Sequence, residues 1–171
     1  MTPPFAYLIT EVFFMKFDIK LFIKSIALPL LVGIVAGLLT RNAMQDFQAL
    51  NQPPLSPPGW LFPVVWTILY ILMGVSSYLI KTASVGAEAK SNAFLLYHYQ
   101  LLVNFLWPIF FFNFGWYFFS LVWLILLWIL VFFMIQRFAE ISKPAAYLNI
   151  PYLIWLTFAA YLNAGVWWLN F

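Results

Sequence analysis

An all-α integral membrane bundle of five transmembrane helices is the fold class this sequence predicts, and three observations predict it. The 171 residues are 65% hydrophobic and only 8% charged, with a mean hydropathy of +0.95. A soluble domain carries about 25% charged residues. Apolar runs of about twenty residues, long enough to cross a bilayer as helices, recur along the chain. The cations alternate between connections. With an odd number of spans, Lys16, Lys20, Lys24, Lys81, Lys90, Arg137 and Lys143 fall on the N-terminal side, and Arg41 stands alone on the other. That asymmetry predicts a cytoplasmic N-terminus, with the first inter-helix loop and the C-terminus outside. It suits a multi-pass protein of a bacterial cell membrane, with the lipid bilayer as its first partner.

Residues 1–20 read as an N-terminal extension and residues 21–171 as one transmembrane domain. Phe5–Phe14 is apolar but interrupted by Glu11 and too short to span. Met15-Lys16 offers a second start in register, so residues 1–14 are either the product of an upstream start or an ordinary terminus. Lys16, Lys20 and Lys24 ahead of Ser25–Thr40 resemble a signal peptide. No small-x-small cleavage site follows and the run is long, so an uncleaved first span is expected.

Span one covers about 21–39. Pro29 is a candidate kink, and Gly33 with Gly37 forms a GxxxG that admits a second helix closely. An intramolecular contact is expected there ahead of a homodimer seam. The connection 40–59 is the longest, and Pro53-Pro54 and Pro57-Pro58 make it stiff and non-helical. Loops of this length often serve as lids. Span two covers about 60–80, with Trp60 as an interfacial anchor. Trp66, Tyr70, Met73 and Ser77 share one of its faces. A polar loop, 81–93, leads to span three, about 94–112, where Tyr97, Gln100, Asn104 and Trp107 share a face. A tight turn is expected near 113–115. Span four, about 116–138, is apolar all round and expected to face lipid over most of its surface. After a short charged loop, 137–143, span five covers about 144–170. Pro144 and Pro151 lie in its first turns, and Pro144 stands where a helix start tolerates one. Tyr152, Trp155, Ala159, Leu162 and Val166 share a face, with Asn163 beside them.

The composition excludes several functions. No aspartate, glutamate, lysine or arginine lies in the interior of spans two to five, which argues against an ion-coupled pump. No Ser-His-Asp arrangement, phosphate loop or carboxylate pair is present, so hydrolysis and phosphoryl transfer are not expected. The net charge of +3 is too small and scattered for a nucleic-acid surface. There is no cysteine, and one histidine with five acids leaves no material for a metal centre. That histidine, His98, reads as a satisfied or interface-facing residue rather than a haem ligand.

What the spans do carry is aromatic and amide groups. An amide in hydrocarbon needs a hydrogen-bond partner. At about 1.5 Å per residue, Trp66, Asn104, Trp107 and Asn163 all fall in the outer half of the membrane, with Trp155 nearer the middle. They are placed to meet in one cavity below the first loop. Such a cavity, apolar with few polar groups, suits a flat hydrophobic ligand. For any single tryptophan in a chain that is 22% aromatic, packing or an interfacial belt is the commoner reading.

The stretch PPLSPPGWLFPVVWTILYILMG, with LVNFLWPIFFF (102–112) and PYLIWLTFAAYLN (151–163), resembles the translocator protein family, also called tryptophan-rich sensory proteins. The likeness runs from about Phe47 to the C-terminus in three blocks in the right order. It implies five membrane helices with a ligand cavity under the first loop, and binding of porphyrins such as protoporphyrin or haem as ligands rather than required cofactors. In some members it implies binding of sterols and, in bacteria, light-dependent porphyrin breakdown. By the resemblance, Trp66 and Trp155 match the cavity tryptophans and are the candidates for that chemistry; Asn104 matches the pocket asparagine and Trp107 its aromatic neighbour. Tyr70 and Asn163 complete the candidate ligand-binding set, and transport of a hydrophobic metabolite is a further reading.

The chain also departs from the family. Asp46-Phe47 and Gln52-Pro53-Pro54-Leu55 replace two loop tryptophans and a lysine that could pair with a propionate, leaving Arg41 as the cation on that side. Ala164 and Trp168 replace the tyrosine and arginine of the sterol motif, and Leu95 and Tyr99 replace a small-residue dimer pattern. These departures favour the alternative of a non-catalytic sensory or scaffold protein whose cavity takes another lipid.

Overall fold

The structure, a computed structural model, describes residues 17–43, 47 and 49–171. The readings on the first sixteen residues, the second start included, lie outside the described residues, as does Asp46. Five helices, or pairs of helices in continuation, are long and apolar enough to cross a membrane. Among the described residues no strand occurs.

The first helix, α1 (Ile19–Thr40), starts at Asp18, whose carboxylate accepts from the Leu21 N–H at 2.9 Å. It packs along α2 (Leu61–Thr82). Gly74 sets their closest approach: a Cβ there would lie 2.5 Å from the Ile26 Cα and 3.0 Å from the Ser25 carbonyl. The Tyr70 ring lies directly against Gly33, while nothing approaches Gly37 within 4 Å. One glycine of the GxxxG thus serves a contact inside the protein, and the other leaves space.

Helix α3 (Ala87–Pro108) begins inside the stretch predicted as a polar loop. Ala87, Ala89 and Lys90 are good helix formers, and Glu88 in the first turn complements the helix dipole. Hydropathy marks where the bilayer ends, and the helix runs on past it. Pro108 has no N–H to return to the Asn104 carbonyl, and the backbone widens there into a π turn, Ile109–Asn113. Gly115, at φ +63°, makes the left-handed step of the expected tight turn.

Helix α4 (Tyr117–Ile141) is apolar all round, as read, and much of it is exposed. It also hides one stripe, Ser120, Leu124, Leu127, Val131, Met134 and Phe138, at alternating four- and three-residue steps. Lipid and core are equally apolar, so composition cannot reveal such a stripe. The fifth span is two helices, α5 (Lys143–Tyr147) and α6 (Ile150–Asn170). Pro151 cannot donate to the Tyr147 carbonyl, so the ladder breaks. Buried Asn149 fills the break, donating to Ser76 Oγ at 2.7 Å and to the Ala145 carbonyl at 2.9 Å. Ser76 donates to the same carbonyl at 2.7 Å, tying the break to α2.

Around the bundle, α1 packs on α2, α3 on α4 and α4 on α6, with a lighter contact between α1 and α3. Rings bridge α2 to α6: Trp66–Tyr152 and Phe62–Trp155 centroids are each 6.0 Å apart. At one end, Lys81 donates to Ser25 Oγ at 3.0 Å and the Asp18 N–H to the Tyr78 hydroxyl at 3.2 Å. Lys20, Lys24, Lys90, Arg137 and Lys143 belong to that end too, by the alternation of the helices. Arg41 and the C-terminus lie at the other.

Candidate functional site

Three faces predicted from spacing meet in the interior. The Tyr70 hydroxyl donates to Asn104 Oδ1 at 2.7 Å, and Asn104 Nδ2 donates to the Tyr152 hydroxyl at 2.5 Å. Tyr152 in turn donates to Gln100 Oε1 at 3.1 Å. All four side chains are buried. One asparagine on α3 therefore links α2 to α6, and its amide is satisfied at both ends, as hydrocarbon demands.

Beside this network, the half of the bundle that holds Arg41 and the first loop contains two adjoining cavities. The larger, about 550 Å³, lies between α1, α2 and α3. Trp66, Tyr70, Asn104 and Trp107 all line it, beside Gly33, Gly37, Thr40, Arg41 and Phe62. The smaller, about 260 Å³, lies directly below the first loop and is lined by Phe47, Gln52, Ser56, Pro57, Leu162 and Asn163, among others. Gly59, Phe62, Trp107 and Phe112 line both and divide them. The single cavity predicted from depth is thus two compartments, because the aromatic side chains that were to wall it also cross it.

Asn163 and Trp155 stand apart from the other four candidates. Asn163 reaches the smaller cavity, but its amide donates to the Tyr117 carbonyl at 3.1 Å and its oxygen accepts from Ser120 Oγ at 3.1 Å. It bridges α6 to α4. Trp155 lines neither cavity; its ring packs against Phe62 and against Phe158, at 5.6 Å. Its indole N–H, like that of Trp107, is buried without an acceptor among the described residues. His98 is exposed, and its Nδ1 lies 2.7 Å from the Phe94 carbonyl of the preceding turn. No group of metal-ligating side chains occurs among the described residues.

The hydrogen bonds that fasten residues 49–59 of the loop to α6 form a clasp, while Phe47 packs on Phe111 and Phe112, with ring centroids 5.3 and 5.2 Å away. Asn170 accepts from the Asn51 N–H at 2.9 Å and donates to its carbonyl at 3.0 Å. Tyr161 donates to the Pro54 carbonyl at 2.8 Å. Pro53 is buried against Gly165, where a Cβ would come within 2.5 Å of the proline ring. All three partners lie on α6. Sequence reasoning missed this clasp, and it missed Tyr152 as the hub of the network and Phe62 as the divider. Tyr152 was legible as a face-mate of Trp155; the clasp joins residues too far apart in sequence for any spacing to announce it.

The TspO/MBR family model matches residues 25–169. The chain belongs to the TspO/MBR family. It is 38% identical over 148 residues to the tryptophan-rich protein TspO of Chlorobaculum tepidum, covering 85% of this chain and 92% of that one. It is 35% identical to protein CrtK of Rhodobacter capsulatus, over 81% of this chain and 85% of the relative. The translocator protein of Bos taurus is 36% identical over 82% of this chain and 84% of its own. As a member of the TspO/MBR family with five membrane-crossing helices, this is an integral, multi-pass membrane protein.

Proposed function

We propose that this TspO/MBR protein binds flat hydrophobic ligands, tetrapyrroles such as protoporphyrin foremost, in the larger cavity. The observation that carries the reading is the wall of that cavity. Trp66 and Phe62 give aromatic surface, and Tyr70 and Asn104 close the floor with paired polar groups. Thr40, Arg41, Thr67 and the indole N–H of Trp107, unpaired among the described residues, add polarity. A volume of about 550 Å³ is in the range of sites for ligands of drug size. The ring would lie on Trp66 below the loop. The N-terminus would face the cytoplasm, as the clustering of cations at one end supports.

A second reading, a sensory or scaffold protein whose cavity takes another lipid, is favoured by two observations. Trp155 lies outside both cavities, and the amide of Asn163 is spent on α4. The test is a titration of protoporphyrin into the protein in nanodiscs, in the dark, followed by tryptophan quenching. Saturable binding, weakened at least ten-fold by Trp66→Ala, supports the tetrapyrrole reading. Absence of saturable binding removes it and leaves the second. Illumination then asks about chemistry: loss of the porphyrin Soret band that disappears in Trp66→Phe would add light-dependent breakdown.

A further inference from the structure

The larger cavity has a charged end. Arg41 directly follows the last residue of α1 and lines the cavity, as do the polar residues Thr40 and Thr67. Among the described residues it has no carboxylate partner, and the one ion pair there, Arg137–Glu140, belongs to the opposite end. From Leu30, at the inner end of the lining, to Arg41 the cavity follows about 16 Å of helix. No other cation lines it. The space is therefore polarised, with neutral polar groups at the floor, an apolar aromatic middle and one guanidinium at the rim.

We infer that Arg41 is the specificity-determining residue of this cavity and selects hydrophobic ligands that carry a carboxylate. A guanidinium pairs with a carboxylate through two parallel N–H···O bonds and stays charged at any physiological pH. In water such a pair is weak. Here an apolar ligand body held on Trp66 brings its acid group to the rim, so the ordering is shared with burial of the ring. The inference rests on the tetrapyrrole reading, whose ligands carry two propionates. Arg41 would also favour the C-terminal end of the helix dipole, and the test must separate the two roles.

Protoporphyrin and its dimethyl ester, equal in ring and unequal in charge, are titrated in parallel into the wild type, Arg41→Gln and Arg41→Lys. Nanodiscs of zwitterionic lipid are used, and empty nanodiscs correct for partition. The expected result is that the wild type binds the acid about ten-fold tighter than the ester. Arg41→Gln should bring acid affinity down to that of the ester while leaving ester binding unchanged, which also shows that the variant is folded. Arg41→Lys should fall between, because a point charge lacks the fork. Equal wild-type affinity for acid and ester would overturn the role of Arg41 and leave the tetrapyrrole reading standing. So would an equal loss of both ligands in Arg41→Gln. If the wild type binds neither ligand saturably, the tetrapyrrole reading fails and this inference falls with it.

Discussion

Asn104 makes two claims at once, as a wall of the cavity and as the joint between α2 and α6. Its replacement by leucine keeps the volume roughly but strands the Tyr70 hydroxyl and takes one donor from the Tyr152 hydroxyl, which keeps its bond to Gln100. Each buried group left unpaired costs about 1–3 kcal/mol. Asn104→Leu is expected to lower stability by about 1–3 kcal/mol in a denaturant titration of the detergent-solubilised protein. The pair Tyr70→Phe with Asn104→Leu should cost clearly less than the sum of the two, because the phenylalanine removes a hydroxyl that the first change orphaned. Strict additivity would mean that the hydrogen bond contributes nothing. Leu55 offers the opposite sign. It is 81% exposed and holds a φ of +67° at the third position of the turn Pro53–Ser56, closed by the Ser56 N–H to the Pro53 carbonyl at 3.3 Å. A turn of this kind wants glycine there. Leu55→Gly should therefore stabilise the loop by about 1 kcal/mol, less the entropy glycine adds to the unfolded chain.

Between elements, the contrast of Gly74 and Gly37 tests what a small residue is for. Both are helical glycines on faces turned towards the bundle, but only Gly74 has another helix's backbone against it. Gly74→Ala must push α1 from α2 and should cost about 1–3 kcal/mol. Gly37→Ala meets open cavity and should be neutral or stabilising by up to about 1 kcal/mol, since alanine is the better helix former. A similar loss in both variants would contradict the packing described. The clasp gives the other element-scale expectation. Removing its side-chain bonds in Tyr161→Phe with Asn170→Ala, at about 0.5–1.5 kcal/mol each, should raise amide hydrogen exchange in residues 49–59 at least ten-fold. Exchange at Ser120–Phe138 should not change. These contacts mark where reading the sequence stopped. Periodicity placed Trp66 with Tyr70 and Asn104 with Trp107 because each pair shares one helix. It could not place Pro53 on Gly165 or divide the cavity at Phe62, because those contacts depend on how helices rotate against one another. Nor could it end α3 correctly, since the alanines ahead of Phe94 continue the helix beyond the hydrocarbon.

At the scale of the whole molecule, the five spans were legible because a bilayer imposes length and apolarity on every crossing, and the cation pattern was legible because it needs only their order. The structure adds that both are properties of one bundle. The segment Ser142–Asn149 closes against Ser76 at the end where the lysines gather, and the first loop closes over α6 at the end that holds Arg41. The two ends therefore face different compartments, and the proposal that the lysine-rich end is cytoplasmic follows from the cation count. The chain contains no cysteine, so single cysteines report position without background. Ala49→Cys in the first loop and Ser84→Cys between α2 and α3 are both exposed sites. In intact cells, a membrane-impermeant maleimide should label Cys at 49 and leave Cys at 84 unlabelled until the membrane is opened. Labelling of both in intact cells would point to mixed insertion, and the reverse pattern would invert the protein. Inversion would place the mouth of the cavity, Arg41 included, in the cytoplasm. A carboxylate-bearing ligand would then meet Arg41 from the cytoplasm, so the labelling experiment also decides from which compartment the proposed site is filled.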